Sequence, residues 1–244
     1  MSKIIVITGA GVGLGRALAR RFVKDGDKVV LLGRTVSKVE AVAEELGDAA
    51  YALGCDVGNP DSVRAAFAAI KERSGKIDVL INNAAVYEPF LVEKATDDQI
   101  LGAALTNFAG PIFASREAIP MMEKGGTIIN VTSESVGLEF PMLALYQSSK
   151  AGLERFSQSL SKELEEHGIR VSTVRAGPMY EEGKESGFDP EVGMEFFKRC
   201  MAAGINLRER PISHVNSVTD VFRALLDLPA DVRVPHVSIE GRRP

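Results

Sequence analysis

Tyr146 and Lys150 stand four residues apart in YQSSK, a spacing that puts both side chains on one helix face and holds a cation beside a phenol. A neighbouring cation favours the phenolate, and each unit taken off a phenol pKa near 10 is about 1.4 kcal/mol of preferential stabilisation. A phenol so placed can pass a proton to or from a carbonyl oxygen. The second reactant points to the run TGAGVGLG, Thr8 to Gly15. It follows the apolar stretch KIIVIT and precedes a segment in which Leu14, Leu18, Phe22 and Val23 recur at helical spacing, so it reads as strand, turn and helix. Gly9, Gly13 and Gly15 permit a tight turn and close approach of backbone to a pyrophosphate at the helix N-terminus. The spacing G-x-x-x-G-x-G is not the common G-x-G-x-x-G fingerprint, and alone such a cluster is as readily only a turn.

Other residues decide between these. TGAGVGLG, the NNAA of Asn82 to Ala85, Asn107, Ser133 and the YQSSK pair together resemble the short-chain dehydrogenase/reductase family, in order and spacing, from about residue 3 to residue 178. The resemblance implies a nicotinamide cofactor, hydride transfer from its pro-S face, and a catalytic tetrad of Asn107, Ser133, Tyr146 and Lys150. Lys150 would hold the nicotinamide ribose, and the main-chain carbonyl of Asn107 would hold a water that relays protons. Cofactor contacts are implied at Gly9, Gly11, Val12, Gly13, Leu14 and Gly15, at Arg34 and Thr35, and at Cys55, Asp56 and Val57 near the adenine. Further contacts are implied at Asn83, Ala84 and Ala85, at Tyr146 and Lys150, and at Gly177, Pro178 and Met179. No metal site is assigned.

The residues themselves leave alternatives at several of these positions. Asn107 sits in a long helical pattern, residues 97–122, interrupted by Gly110 and Pro111. Proline has no N–H to meet the Asn107 carbonyl, which is expected free, either for the relay or in a solvated proline kink. Thr132, Ser133 and Ser135 could each be a cap or turn residue after a strand. Counting back thirteen residues from Tyr146 selects Ser133 as donor to the substrate oxygen, and a local shift would promote Ser135. Asp56 could instead cap the helix starting near Asn59.

Cofactor choice turns on the end of the second strand, VVLLGRT, where Gly33 replaces the acidic residue that would bind a ribose and Arg34 follows. This favours NADP(H), with NAD(H) possible; Val12 counts against, and Arg34 could be a solvated loop residue. Two departures from the family pattern stand out. Ala176-Gly177-Pro178 replaces its P-G turn, with Glu181 where a threonine is expected, and the chain ends VSIEGRRP without a glycine pair. The backbone contacts of that turn to the nicotinamide amide are expected to survive.

The elements that position these groups read as a doubly wound α/β fold. Strands are expected at residues 3–8, 28–33, 50–54, 77–82, 126–132, 169–175 and 234–239, each but the last followed by a helical pattern. That is a seven-stranded parallel sheet in a single Rossmann-like domain over residues 1–244. The patternless stretch 179–216 is expected to be a loop acting as a substrate lid at the carboxyl edge. Ala85, Val86, Tyr87, Glu134, Leu138, Met179 and the lid aromatics Phe188, Phe196 and Phe197 would surround a substrate, although those aromatics could equally pack the lid on the core.

With 45% hydrophobic residues, a chain of 244 residues can bury a large core. A net charge of −4 with scattered basic residues argues against nucleic acid, and no apolar run reaches the roughly 18 residues of a membrane helix. Cys55 and Cys200 form no C-x-x-C pair, so a reduced, cytoplasmic protein is expected. The patterns 97–122 and 145–167 carry apolar residues on more than one face, which predicts a homo-oligomer, a dimer or tetramer. A small-molecule carbonyl or alcohol is the expected substrate. A cofactor-binding sensor on the same fold, and an epimerase or dehydratase, are the competing readings.

Overall fold

Strand runs such as KVVLLG and VLIN are apolar at consecutive positions, as strands covered on both faces must be. The computed structural model describes residues 2–183 and 187–242. In chain order its elements are β1 (Ile4–Thr8), α1 (Gly13–Lys24), β2 (Lys28–Gly33), α2 (Val36–Leu46), β3 (Ala50–Gly54), α3 (Pro60–Ser74) and β4 (Val79–Asn82). There follow α4 (Asp97–Ala104), α5 (Gly110–Ala118), β5 (Thr127–Ser133), α6 (Ala144–Glu163), β6 (Arg170–Ala176), β7 (Met179–Tyr180), α7 (Pro190–Ala202), β8 (Ser213–His214), α8 (Thr219–Leu226) and β9 (His236–Ile239). Seven strands form one parallel sheet in the order β3-β2-β1-β4-β5-β6-β9. The order reverses between β1 and β4, which opens a crevice at the carboxyl ends of those strands.

Alternation along each strand feeds two cores. Ile5, Ile7, Val29 and Leu31 face α1, α2 and α8 through Leu18, Phe22, Val39 and Phe222. Val6, Val30, Leu32 and Leu80 face α3, α5 and α6 through Phe67, Ile70, Ala114 and Leu160. Phe22 is fully buried, and truncating such a side chain to alanine typically costs about 3–5 kcal/mol. Across the sheet centre a polar chain replaces apolar packing. Asn82 Nδ2 donates to Asn130 Oδ1 at 2.8 Å, and Asn130 Nδ2 donates to Ser157 Oγ at 2.8 Å, joining β4, β5 and α6.

The long helical pattern over 97–122, interrupted in the sequence by Gly110 and Pro111, forms two helices joined by a distorted turn. After α4 the backbone opens into a π-helical turn, Leu105–Ala109, in which the Gly110 N–H reaches back five residues to the Leu105 carbonyl. Pro111 then sits in the first turn of α5, where its missing N–H is tolerated. A π turn rather than a plain proline kink therefore sets the direction of Asn107. The stretch 179–216 also differs from a loop. It holds α7, whose N-cap Asp189 accepts from Glu191 N–H at 2.7 Å with Pro190 in the first turn. Gly193 inside that helix, and Gly183 and Gly187 ahead of it, mask the helical pattern in the sequence. The same stretch contributes a two-residue parallel ladder, Met179 with Ser213 and Tyr180 with His214.

Candidate active site

The polypeptide after β1 turns sharply at Gly9, where φ is +66° and a Cβ would fall 2.8 Å from the Ala84 Cα. Only glycine fits both requirements. Gly15, inside α1, lies so close to the turn that a Cβ would meet the Gly9 carbonyl oxygen at 2.4 Å. The NNAA segment holds the turn from the other side. Asn83 Nδ2 donates to the carbonyls of Thr8 and Gly9 at 3.0 and 3.2 Å, and the Thr8 hydroxyl accepts from Asn83 N–H and Ala84 N–H, each at 3.0 Å.

These two segments border a cavity of about 440 Å³ at the carboxyl edge of β1, β2 and β4. Of the expected cofactor residues, Gly9, Gly11, Val12, Gly13, Leu14, Arg34, Thr35, Cys55, Asp56, Val57, Asn83, Ala84, Ala85 and Met179 line it. Gly15, Gly177, Pro178, Tyr146 and Lys150 do not. Gly15 serves helix-to-turn packing. Gly177 N–H already donates to the Ile239 carbonyl at 2.8 Å and the Pro178 carbonyl accepts from Ser213 N–H at 3.0 Å, so this turn is tied to β9 and β8. The surviving amide contact expected from the turn thus meets, at Gly177, an N–H already engaged. Asp56 is not the cap of α3; Asn59 is, accepting from Asp61 N–H and Ser62 N–H. Asp56 Oδ1 accepts instead from Gly58 N–H at 3.0 Å. Buried Cys55 has its thiol pushed up to about 11 by desolvation.

The cavity matches a dinucleotide in the chemistry of its donors: glycine-rich backbone at a helix N-terminus for phosphates, and cations at its β2 end. Lys38 lines it beside Arg34 and Thr35, as do Thr106, Tyr180, Glu181 and Val215. Sequence reading missed Lys38. Its position four residues after Arg34, early in α2, is the signal that could have marked it.

Ser133, Tyr146 and Lys150 come together, and Asn107 is joined to them through Val86, which lines the cavity, and Tyr87, which meets the Tyr146 ring. Asn107 is fully buried, and its amide clamps the backbone of Val86, donating to its carbonyl at 2.9 Å and accepting from its N–H at 2.8 Å. Ser133, the last residue of β5, hydrogen-bonds the Tyr146 phenol and also accepts from Ser135 N–H at 3.2 Å. Ser135, the residue a local shift would promote, is buried with no partner for its hydroxyl among the described residues, and it is Ser133 that meets the phenol in this structure. Lys150 is buried and donates to the Val131 carbonyl at 2.9 Å, with its Nζ 6.0 Å from the Tyr146 ring centroid. One turn further along α6, Glu154 accepts from Thr132 at 2.8 Å and from both arms of Arg175 at 3.0 and 2.7 Å, bracing α6 against β5 and β6.

Burial pushes the Tyr146 phenol above its ordinary value; the Ser133 hydrogen bond pulls it back and the Glu134 carboxylate raises it. Burial also brings Lys150 down to about 8. The expected lowering of the phenol by Lys150 is therefore not produced by the chain's own groups, because the ammonium is directed at β5 backbone. Tyr87 stands edge-on to Tyr146 at 5.0 Å between centroids, and Phe188 lies 6.1 Å from Tyr87. Phe196 instead packs into a third core with Phe140, Leu143 and Cys200, and Phe197 lies under the Arg208 guanidinium. Arg210, another residue not singled out in the sequence, pairs with Glu134 at 2.5 Å and lies over Phe140.

Residues 3–189 match the family model described as short chain dehydrogenase. The chain belongs to the short-chain dehydrogenase family. It is 36% identical over 177 residues to a 3beta-hydroxysteroid dehydrogenase of Mediterraneibacter gnavus, covering 70% of this chain and 64% of that relative. It is 35% identical over 183 residues to the serine 3-dehydrogenase of Agrobacterium fabrum, covering 72% of each. Among solved structures, the closed form of a serine dehydrogenase complexed with NADP+ superposes with a TM-score of 0.82 at 25% identity, over 97% of this chain and 94% of that one. The seven-stranded sheet and single Rossmann-like body are thus those of a short-chain dehydrogenase. Among the described residues no helix is long and apolar enough to cross a membrane.

Proposed function

We propose that this short-chain dehydrogenase is an NADP(H)-dependent oxidoreductase acting on a carbonyl or secondary alcohol, with Tyr146 as general acid and base. The observation that carries the reading is the Tyr146 phenol held by the Ser133 hydroxyl, with buried Lys150 behind it, beside a cavity lined by the glycine turn. A bound nicotinamide would supply or accept hydride. In the reducing direction Tyr146 gives its proton to the substrate oxygen, and Ser133 donates a hydrogen bond that steadies the charge developing there. Lys150, charged on the acid side of its depressed pKa and anchored on the Val131 carbonyl, is placed to hold the nicotinamide ribose. Asn107 fixes Val86 and thereby the wall between the cavity and Tyr87.

The preference for NADP(H) is supported by Arg34, just after β2, and Lys38, in the first turn of α2, where Gly33 leaves no carboxylate against a 2′-phosphate. The NADP+ in the serine dehydrogenase structure is in keeping with this. Residues 179–216 act as a substrate lid, with Phe188 facing Tyr87 and Arg210 meeting Glu134. A cytoplasmic homo-oligomer completes the reading. A panel of carbonyl compounds and alcohols, followed at the nicotinamide absorbance with both cofactors, tests it. Turnover of at least one compound, faster with NADP(H), is expected, whereas cofactor binding without turnover of any would favour a sensor.

A further inference from the structure

Glu181 comes from the segment just after β7, yet its carboxylate lies at the start of α1. Its Oε2 accepts from Gly13 N–H at 2.8 Å. Its Oε1 accepts from the Arg16 Nε at 3.0 Å and from the terminal Arg16 nitrogen at 2.6 Å. The carboxylate side chain is only 9% exposed. Gly13 opens the helix, so its N–H has no intrahelical acceptor, and the helix dipole adds to the attraction for an anion. A backbone amide at a helix N-terminus beside an arginine fork is the donor set that phosphate groups use. Gly13 and Glu181 both line the cavity that holds Gly9, Gly11 and Leu14.

Building on the nucleotide-binding reading above, we propose that Glu181 is a built-in competitor for the cofactor's pyrophosphate, and that Arg16 is a phosphate-binding residue that changes partner when cofactor arrives. Two anions cannot share one amide and one guanidinium without strong mutual repulsion, so the carboxylate must leave for the pyrophosphate to settle. Among the described residues, the strand pairing next to Glu181 is the two-residue ladder of Met179 with Ser213 and Tyr180 with His214, which is separate from the main sheet, so a shift here need not disturb that sheet. Cofactor entry would thus release the start of the 179–216 segment from α1, coupling the cofactor site to the lid.

A brace that merely steadied the lid would not predict tighter ligand binding when it is removed. The test is titration calorimetry of NADPH, and separately of inorganic pyrophosphate, into the full-length protein and its Glu181→Gln, Glu181→Thr, Arg16→Ala and Arg16→Ala/Glu181→Gln variants, each checked for native circular dichroism. Glu181→Gln should bind both probes more tightly, by roughly tenfold or more for NADPH, the size expected for freeing charge-assisted donors. Adding Arg16→Ala should reverse most of that gain. Tighter pyrophosphate binding without any NADPH binding would sustain the competition and overturn the nucleotide reading instead. Unchanged or weaker affinity for both probes in the folded Glu181 variants would overturn the proposal, as would a double variant that binds as tightly as Glu181→Gln alone; if no variant binds either probe it is equally refuted.

Discussion

The Glu134 carboxylate meets the Arg210 guanidinium at 2.5 Å, so the residue that follows Ser133 in the chain is tied to the segment between β7 and β8. Glu134 also acts on the Tyr146 phenol, raising its pKa, while Ser133 on the other side of the same peptide lowers it. Adjacent residues thus adjust one proton donor in opposite senses.

The pH dependence of alcohol oxidation follows from this opposition. Oxidation needs the phenolate, so its rate should rise with pH through the Tyr146 pKa. Charged and titratable groups around that phenol are Lys150, Glu134 and Tyr87, with Arg210 behind Glu134. Removing the Glu134 charge with Glu134→Gln should move the inflection to lower pH. Ser133→Ala should move it to higher pH and reduce kcat as well. Profiles of kcat against pH for the two variants check both signs, and shifts in the same direction would disprove the assignment.

The proposed preference for NADP(H) rests on two cations at one end of the cavity, Arg34 and Lys38. Arg34→Ala and Lys38→Ala should each weaken NADPH binding by about 1.5–3 kcal/mol if the lost contact is charge-assisted, and leave NADH nearly unchanged. Calorimetric affinities for both cofactors in the wild-type protein and the two variants decide it. Equal wild-type affinity for NADPH and NADH would exclude the preference.

A buried ammonium should cost stability at neutral pH. Lys150 has a folded pKa near 8, below the value of about 10.4 expected for an unfolded lysine. The unfolded state therefore binds more protons between these values, and the native state gains stability as pH rises through that window. Lys150→Met removes the penalty but leaves the Val131 carbonyl without its donor. The expected net effect at pH 7, without cofactor, is a gain of about 1–2 kcal/mol that shrinks towards pH 10. Denaturant melts at pH 7 and pH 10 measure it; a variant less stable than wild type at pH 7 would contradict the reading of Lys150.

Assembly is the prediction most altered by the structure. Of the apolar row expected on the second pattern to help form an oligomer surface, Leu153 and Leu160 on α6 and Leu164 at its C-cap are buried in the chain's own core, while Leu145 and Phe156 are half-buried. Ile100, Leu101, Leu105 and Phe108, on α4 and the π turn, are exposed, with Leu101 at 54%. These four should pair with a second copy across a two-fold axis. Light scattering after size exclusion should give twice the chain mass of 26.2 kDa, and Leu101→Asp should give the monomer. A wild-type monomer at micromolar concentration would refute the pairing.

The sheet was legible because its strands are buried on both faces, which leaves apolar runs that hardly depend on distant contacts. The turn was legible through residue type and fixed spacing, and so were the positions of Ser133, Tyr146 and Lys150, which the structure brings together. What stayed hidden depends on long-range geometry. Lys38, Glu181 and Arg210 are ordinary charged residues in the sequence, and only the packing of α2 and the 179–216 segment at the site gives them neighbours. The π turn was hidden for another reason. Gly110 and Pro111 signal a disturbance, but whether the helix kinks or inserts a residue is settled by the Asn107 clamp on Val86, eleven residues ahead of Asp97 in the chain.

The central claim is that Tyr146 moves the proton. Tyr146→Phe preserves the ring against Tyr87 and removes only the hydroxyl, so NADPH should bind with unchanged affinity by calorimetry while kcat on the best substrate of the panel falls by a factor of roughly 10² or more. A folded Tyr146→Phe variant that binds NADPH and keeps wild-type turnover would contradict the account.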